Sequence, residues 1–248
     1  MNNLRLLLSA TLYATMLAAL PALAAGPAPP PGVGEAAAQD GDWVSYRDAY
    51  RQMIRFDKYG KPKHLIQQHY QVAPKDKSVS MEGVRLTLAG PSTRLNMALD
   101  AVGRATFPLL KSAYDDNARL VLNRKAESYT MQPRISIVPR ADGIYETADL
   151  QAACEQALNY LRYIGRASMQ DRKCVGVRFS YAQGTAESPV RFRSADQVQK
   201  EIAMVEGSAF PDDAAPLLRT ATYRFSEWPE KGQVVTQSAP VAIAPVFD

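Results

Sequence analysis

Apolar and polar positions alternate with a period near two in four pieces between Val84 and Val138: Val84–Leu88, Arg94–Asp100, Ala118–Leu122 and Arg134–Val138. Each is bounded by Gly, Pro, Asp or Asn, as strands of a half-buried antiparallel sheet are. Similar runs at His64–Val72, Lys173–Tyr181 and Thr220–Trp228 predict further strands. Two stretches instead follow the three-and-four spacing of an amphipathic helix. In Asp42–Gly60, Trp43, Tyr46, Tyr50, Met53 and Ile54 share a face. Asp40 or Asp42 can cap its start, Gly60 can end it and Pro62 forbids its continuation. In Thr147–Ile164 the stripe is Leu150, Cys154, Ala157, Leu158, Leu161 and Ile164, with Thr147 as cap and Gly165 as stop. Ser194–Gln197 has the spacing of a capping box and predicts a short helix through Met204. The end of the chain, Val234-Val235 and then Pro240–Phe247, reads as an edge strand or a tail, since Pro240 and Pro245 exclude a central strand. The predicted class is α+β: an antiparallel β-sandwich-like sheet with an N-terminal helix and one or two further packed helices.

The sharpest local signal lies at Leu99–Pro108, where Asp100 and Gly103 bracket a tight reversal. A strand ending in Asp100-x-x-Gly103-Arg104, followed by a short strand closing on Pro108, resembles a hairpin of transthyretin-like and carboxypeptidase-regulatory-like β-sandwich modules. The likeness covers about residues 84–138. It implies a sandwich fold and a non-catalytic building or binding role of the kind such modules play in exported bacterial proteins. It transfers no active-site residue. Where those modules close with a glycine and an aromatic residue, this chain has Ala113–Ala118.

The first residues change the picture of where such a fold would work. One basic residue, Arg5, precedes a mostly apolar run from Leu6 to Leu20, and Pro21 and the small residues Ala22–Ala24 follow it. This is the pattern of a signal peptide, 1–24, cut after Ala24 or Ala25. The run is too short for a comfortable membrane span, which needs about 20 apolar residues. A Pro/Ala-rich stretch, 25–41, reads as a disordered linker. Beyond it lie a helix-plus-sheet region, 42–140, and an α+β region, 141–248, which either share one core or hold two. No second apolar stretch approaches spanning length, so no transmembrane segment is expected after cleavage. Localisation is then periplasmic or secreted. The charge, 29 Lys and Arg against 25 Asp and Glu, is too nearly balanced to indicate nucleic acid.

Candidate chemistry is sparse. Cys154 and Cys174, an even pair in an exported chain, predict a structural disulfide. His64 and His69 are the only histidines and stand an odd distance apart on a predicted strand, so they cannot share one metal. Asp115-Asp116 and Asp212-Asp213 read as polar turns. Arg47, Arg51, Arg55 and Lys58 form a basic stripe that either meets an anionic surface or is solvated beside Asp48 and Asp57. No phosphate loop, nucleophile elbow, zinc-protease or C-x-x-C motif occurs, and no catalytic, cofactor-binding or metal-ligating residue is assigned. The expected function is an exported, non-catalytic binding or accessory protein of the bacterial envelope, with an envelope protein, peptide or polymer as partner. The alternatives are a small-molecule or lipid carrier with an apolar cavity, or an envelope hydrolase. Oligomeric state is open.

Overall fold

The computed structural model describes residues 42–185, 189–214 and 217–248. The expected leader and linker lie outside them. In chain order the elements are β1 (Asp42–Ser45), α1 (Tyr46–Asp57), β2 (Ile66–Pro74), β3 (Leu86–Ala89), β4 (Arg94–Met97), β5 (Arg104–Ala105), α2 (Lys111–Asp115), β6 (Arg119–Leu122) and β7 (Tyr129–Ile137). There follow β8 (Ile144–Glu146), α3 (Thr147–Tyr163), β9 (Cys174–Tyr181), β10 (Val190–Ser194), β11 (Gln199–Glu201), β12 (Met204–Gly207), β13 (Leu218–Arg224), β14 (Gly232–Thr236) and β15 (Ala242–Phe247). The fold is β-rich, with every strand pairing antiparallel. Sheet I has the order β1-β6-β3-β4, sheet II β5-β2-β7, sheet III β11-β10-β14-β8 and sheet IV β12-β13-β9-β15.

Leu86, Leu88, Leu120 and Leu122 turn inward from sheet I and cluster with Tyr70, Val72 and Phe107. α1 joins this core through Tyr46 and Ala49. The Tyr46 hydroxyl donates to the Pro108 carbonyl at 2.5 Å and accepts from the Leu110 N–H at 2.9 Å, which fixes the helix to the loop before α2. A second core forms among sheets III and IV from Val177, Phe179, Phe192, Tyr223, Val234 and Ile243, with Leu150 and Ala153 of α3 beside them. The β2–β7 pair runs between these cores. Tyr129 belongs to the first, Ile137 to the second, and Ile66 and Ile135 to a third cluster with Tyr59, Ala157 and Tyr160.

Several expectations need correction. Residues 42–45 are a strand paired with β6, so the first helix begins at Tyr46, and Ser45 precedes it in extended conformation without a capping side-chain bond. The fourth alternating piece, Arg134–Val138, pairs with β2 in a sheet separate from the other three. His64 lies outside its predicted strand, which starts at Ile66. The segment after Ser194 is a hairpin turn into β11: the Ser194 N–H bonds the Val198 carbonyl, and Gln197 takes φ +63°. Residues 199–201 are all exposed and pair with β10, and of the predicted helix beyond them, through Met204, only Ile202 is buried in the second core. Val234 and Val235 sit in β14, in the interior of sheet III, whereas β15 is an edge strand as Pro245 requires. Thr147 does not cap α3; its hydroxyl donates to the Glu230 carbonyl. Tyr160, outside the predicted apolar stripe of that helix, is 1 % exposed.

Candidate functional site

The edge strands β7 and β15 approach one another, and each carries a proline, Pro133 and Pro245. A proline nitrogen cannot donate, so ladder bonding cannot zip the two edges together at these points. Both prolines line a cleft of about 360 Å³. Ile135, Leu161, Met169 and Phe247 give it apolar walls, and Arg134, Arg166 and Arg172 bring cations to it.

Arg134 is fully engaged. Its Nε donates to Gln71 Oε1, its Nη1 to Asp212 Oδ1 and its Nη2 to Asp213 Oδ1, all at 2.6 Å. Its guanidinium lies 4.8 Å from the centroid of the Phe210 ring. These contacts pin the 210–213 turn against sheet II, with the Asp213 N–H closing on the Phe210 carbonyl at 3.1 Å. The side chains of Arg134 and Asp213 are 6 % and 2 % exposed, that of Asp212 55 %. Burial pushes the Asp213 carboxyl above the usual carboxylate range, against the pull of Arg134 and the Gln71 amide. Gln71 also donates to the Val102 carbonyl at 3.0 Å, which settles which way its amide points. The two aspartates are therefore a turn, as read from sequence, and ion-pair partners as well.

A second network stands beside it. β5 places Arg104 opposite Gln71. The Arg104 Nε donates to Asp100 Oδ2 at 2.8 Å and its Nη2 to the Val241 carbonyl at 2.6 Å. Asp100 meanwhile accepts the N–H groups of Val102 and Arg104, closing the reversal anticipated from sequence. Gly103 is obligatory in that turn: φ is +77°, and a Cβ would come within 2.2 Å of the Val72 carbonyl oxygen. The turn carries the chain from β4 in sheet I to β5 in sheet II. His69, across the ladder from Arg134, is half-buried, and its Nδ1 has no hydrogen-bond partner among the described residues. Burial, then the charge of Arg104, hold its pKa below the ordinary histidine value, against Asp100.

The remaining two cleft arginines differ. Arg166 and Arg172 make no side-chain hydrogen bond or ion pair among the described residues. The segment bearing them is nonetheless held in shape. Gly165, at φ +79°, ends α3, and the Arg166 N–H bonds back to the Leu161 carbonyl. Arg162 reaches across the loop, its Nε donating to the Met169 carbonyl at 3.0 Å and its Nη2 to the Arg172 carbonyl at 2.7 Å. At the far end Cys174 lies at disulfide distance from Cys154, with Cα atoms 5.9 Å apart.

The basic stripe of α1 is placed otherwise. Arg47 donates to the Tyr114 and Asp115 carbonyls and lies over the Tyr114 ring. Arg51 pairs with Asp48, and Arg55 donates to the Tyr163 carbonyl from above that ring. Lys58 is exposed. Asp115 pairs with Lys111, and Asp116 accepts from Ser92. Among the described residues no three His, Cys, Asp or Glu side chains are grouped to hold a metal ion, and no helix is long and apolar enough to cross a membrane. Sequence reasoning missed the cleft, because its residues come from β7, the end of α3 and the loop after it, the 210–212 turn and β15. Comparison with protein-family models, with characterised proteins and with solved structures finds no match.

Proposed function

We propose that the chain is an exported, non-catalytic binding protein of the bacterial envelope that takes its ligand in the cleft between β7 and β15. The observation carrying this reading is a cleft of about 360 Å³ with apolar walls and two arginines, Arg166 and Arg172, that make no side-chain hydrogen bond or ion pair among the described residues. That size falls in the ordinary range for small-ligand sites, about 300–1,000 Å³. We read sheets I and II, and likewise III and IV, as sandwich-like pairs, in keeping with the resemblance of residues 84–138 to transthyretin-like modules. Export is supported by the leader pattern and by the cysteine pair at disulfide distance. A hydrolase has less support. The serine diagonally across the ladder from His69, Ser136, is 0 % exposed, and neither histidine lines the cleft.

Native mass spectrometry of protein purified from the periplasm tests the reading. The expected result is extra mass that leaves on denaturation and is absent from Met169→Trp, in which the indole fills the cleft. A bare chain that crosslinks reproducibly to one envelope protein would move the function to partner binding and overturn the cleft as its seat.

A further inference from the structure

Resting on the binding reading above, we infer that the ligand is a single-chain anionic amphiphile: a hydrocarbon chain between the apolar walls, and a phosphate or carboxylate head at Arg166 and Arg172. Charge decides the head. Arg134 together with Asp212 and Asp213 sums to one negative charge, whereas Arg166 and Arg172 supply two positive ones with no side-chain partner among the described residues. The lining is therefore polarised, with its available cations confined to the 166–172 segment. Guanidinium groups bind phosphate and carboxylate through paired N–H donors. Arg162, by holding the Met169 and Arg172 carbonyls, presets that segment so that less ordering accompanies binding.

The walls decide the tail. A peptide would be gripped by strand addition, which needs a row of free backbone donors along a sheet edge. Here both bordering edges carry prolines where they meet the cleft, Pro133 and Pro245, and offer no N–H there. What they offer is carbon: Ile135, Leu161, Phe247 and the adaptable thioether of Met169. A hydrocarbon chain needs no hydrogen bonds and suits such walls. A volume of 360 Å³ holds a dozen groups at about 30 Å³ each, which fits a chain of about ten carbons with its head.

Isothermal titration of the mature protein with decyl phosphate, decanoate, decanol and decyltrimethylammonium, each below its micellar concentration, tests the inference. Both anions should bind one to one, the two other probes at least tenfold more weakly. The double substitution R166A/R172A should weaken the anions at least tenfold while leaving the urea midpoint in place, and Met169→Trp should abolish binding. Preference for decyl phosphate would point to a lipid phosphate as the source of the head, preference for decanoate to a free fatty acid. Decanol binding as tightly as the anions, or anion binding indifferent to R166A/R172A, would overturn the anionic head. If none of the four probes binds, the amphiphile is overturned, yet a co-purifying mass lost in Met169→Trp would leave the binding reading standing.

Discussion

Two sets of arginines stand within one small region, and they are used in opposite ways. Arg104 and Arg134 lie beneath the surface with their donors met by Asp100, Gln71, Asp212, Asp213 and the Val241 carbonyl. Arg166 and Arg172 carry the same group on a shaped loop and leave it unpaired among the described residues. A buried guanidinium must be satisfied where it stands, because leaving it unpaired costs several kcal/mol. An exposed one is satisfied by water and keeps its charge for something else. The first set fastens the 210–213 turn and β15 to sheet II; the second gives the resulting cleft its sign.

The largest expected effect tests the buried set. Arg134→Ala should lower the unfolding free energy by about 3–5 kcal/mol, because Asp213 would be left buried without its cation. Arg166→Ala should change it by less than about 0.5 kcal/mol. Urea titrations of the two variants measure the contrast directly, and equal effects would dissolve the distinction.

Next in size comes the staple. Replacing both cysteines by serine should cost about 3 kcal/mol for a closed loop of 20 residues. It should also weaken anion binding, since Arg162, Arg166 and Arg172 all lie between the two cysteines in sequence. Stability lost with affinity intact would show that the loop is shaped by Arg162 and Gly165 alone.

How much of this was legible in the sequence depends on how local each feature is. α3 was readable because its stripe, its closing Gly165 and its cysteine all lie within one stretch. The Asp100–Gly103 reversal was readable for the same reason. The hairpin at Ser194 was misread because Ser-x-x-Gln matches a capping box by spacing alone, while Gln199–Glu201 are exposed and pair as a strand with β10. β14 was taken for an edge or tail because two valines say nothing about neighbours on both sides, which β8 and β10 supply. The cleft was out of reach. Asp212 and Asp213 look like any polar turn until Arg134, 78 and 79 residues earlier, is folded against them.

A smaller effect concerns His69, at the border of the buried network. Its folded pKa lies below 6.5, so protons bind the unfolded chain more readily than the folded one. Its contribution is present above pH 6.5 and is lost as pH falls from there through the depressed folded value. Asp213 runs the other way: with its folded pKa raised above 3.8, it stabilises as pH falls through that raised value. Lowering the pH from 7.5 to 5.5 should therefore destabilise the wild type more than His69→Gln. The double variant with Asp213→Asn separates the two groups. A pH profile unchanged by His69→Gln would mean that its buried Nδ1 finds water.

The smallest effects sort the α1 stripe between the two kinds of arginine. Arg47 resembles the buried set, with two backbone carbonyls and an aromatic face as partners, whereas Lys58 resembles the free one. Arg47→Ala should cost about 1 kcal/mol, the usual worth of such hydrogen bonds, and Lys58→Ala less than about 0.5 kcal/mol. Arg51, whose pair with Asp48 has both side chains more than half exposed, should fall with Lys58. If the stripe met an anionic surface, Arg51→Ala and Lys58→Ala would release the protein from anionic vesicles without touching stability, whereas Arg47→Ala and Arg55→Ala would act mainly on stability. Equal loss of vesicle binding from all four substitutions would show that a guanidinium bonded to backbone carbonyls still serves an outside partner. The line between satisfied and available arginines would then be drawn by burial rather than by hydrogen bonding.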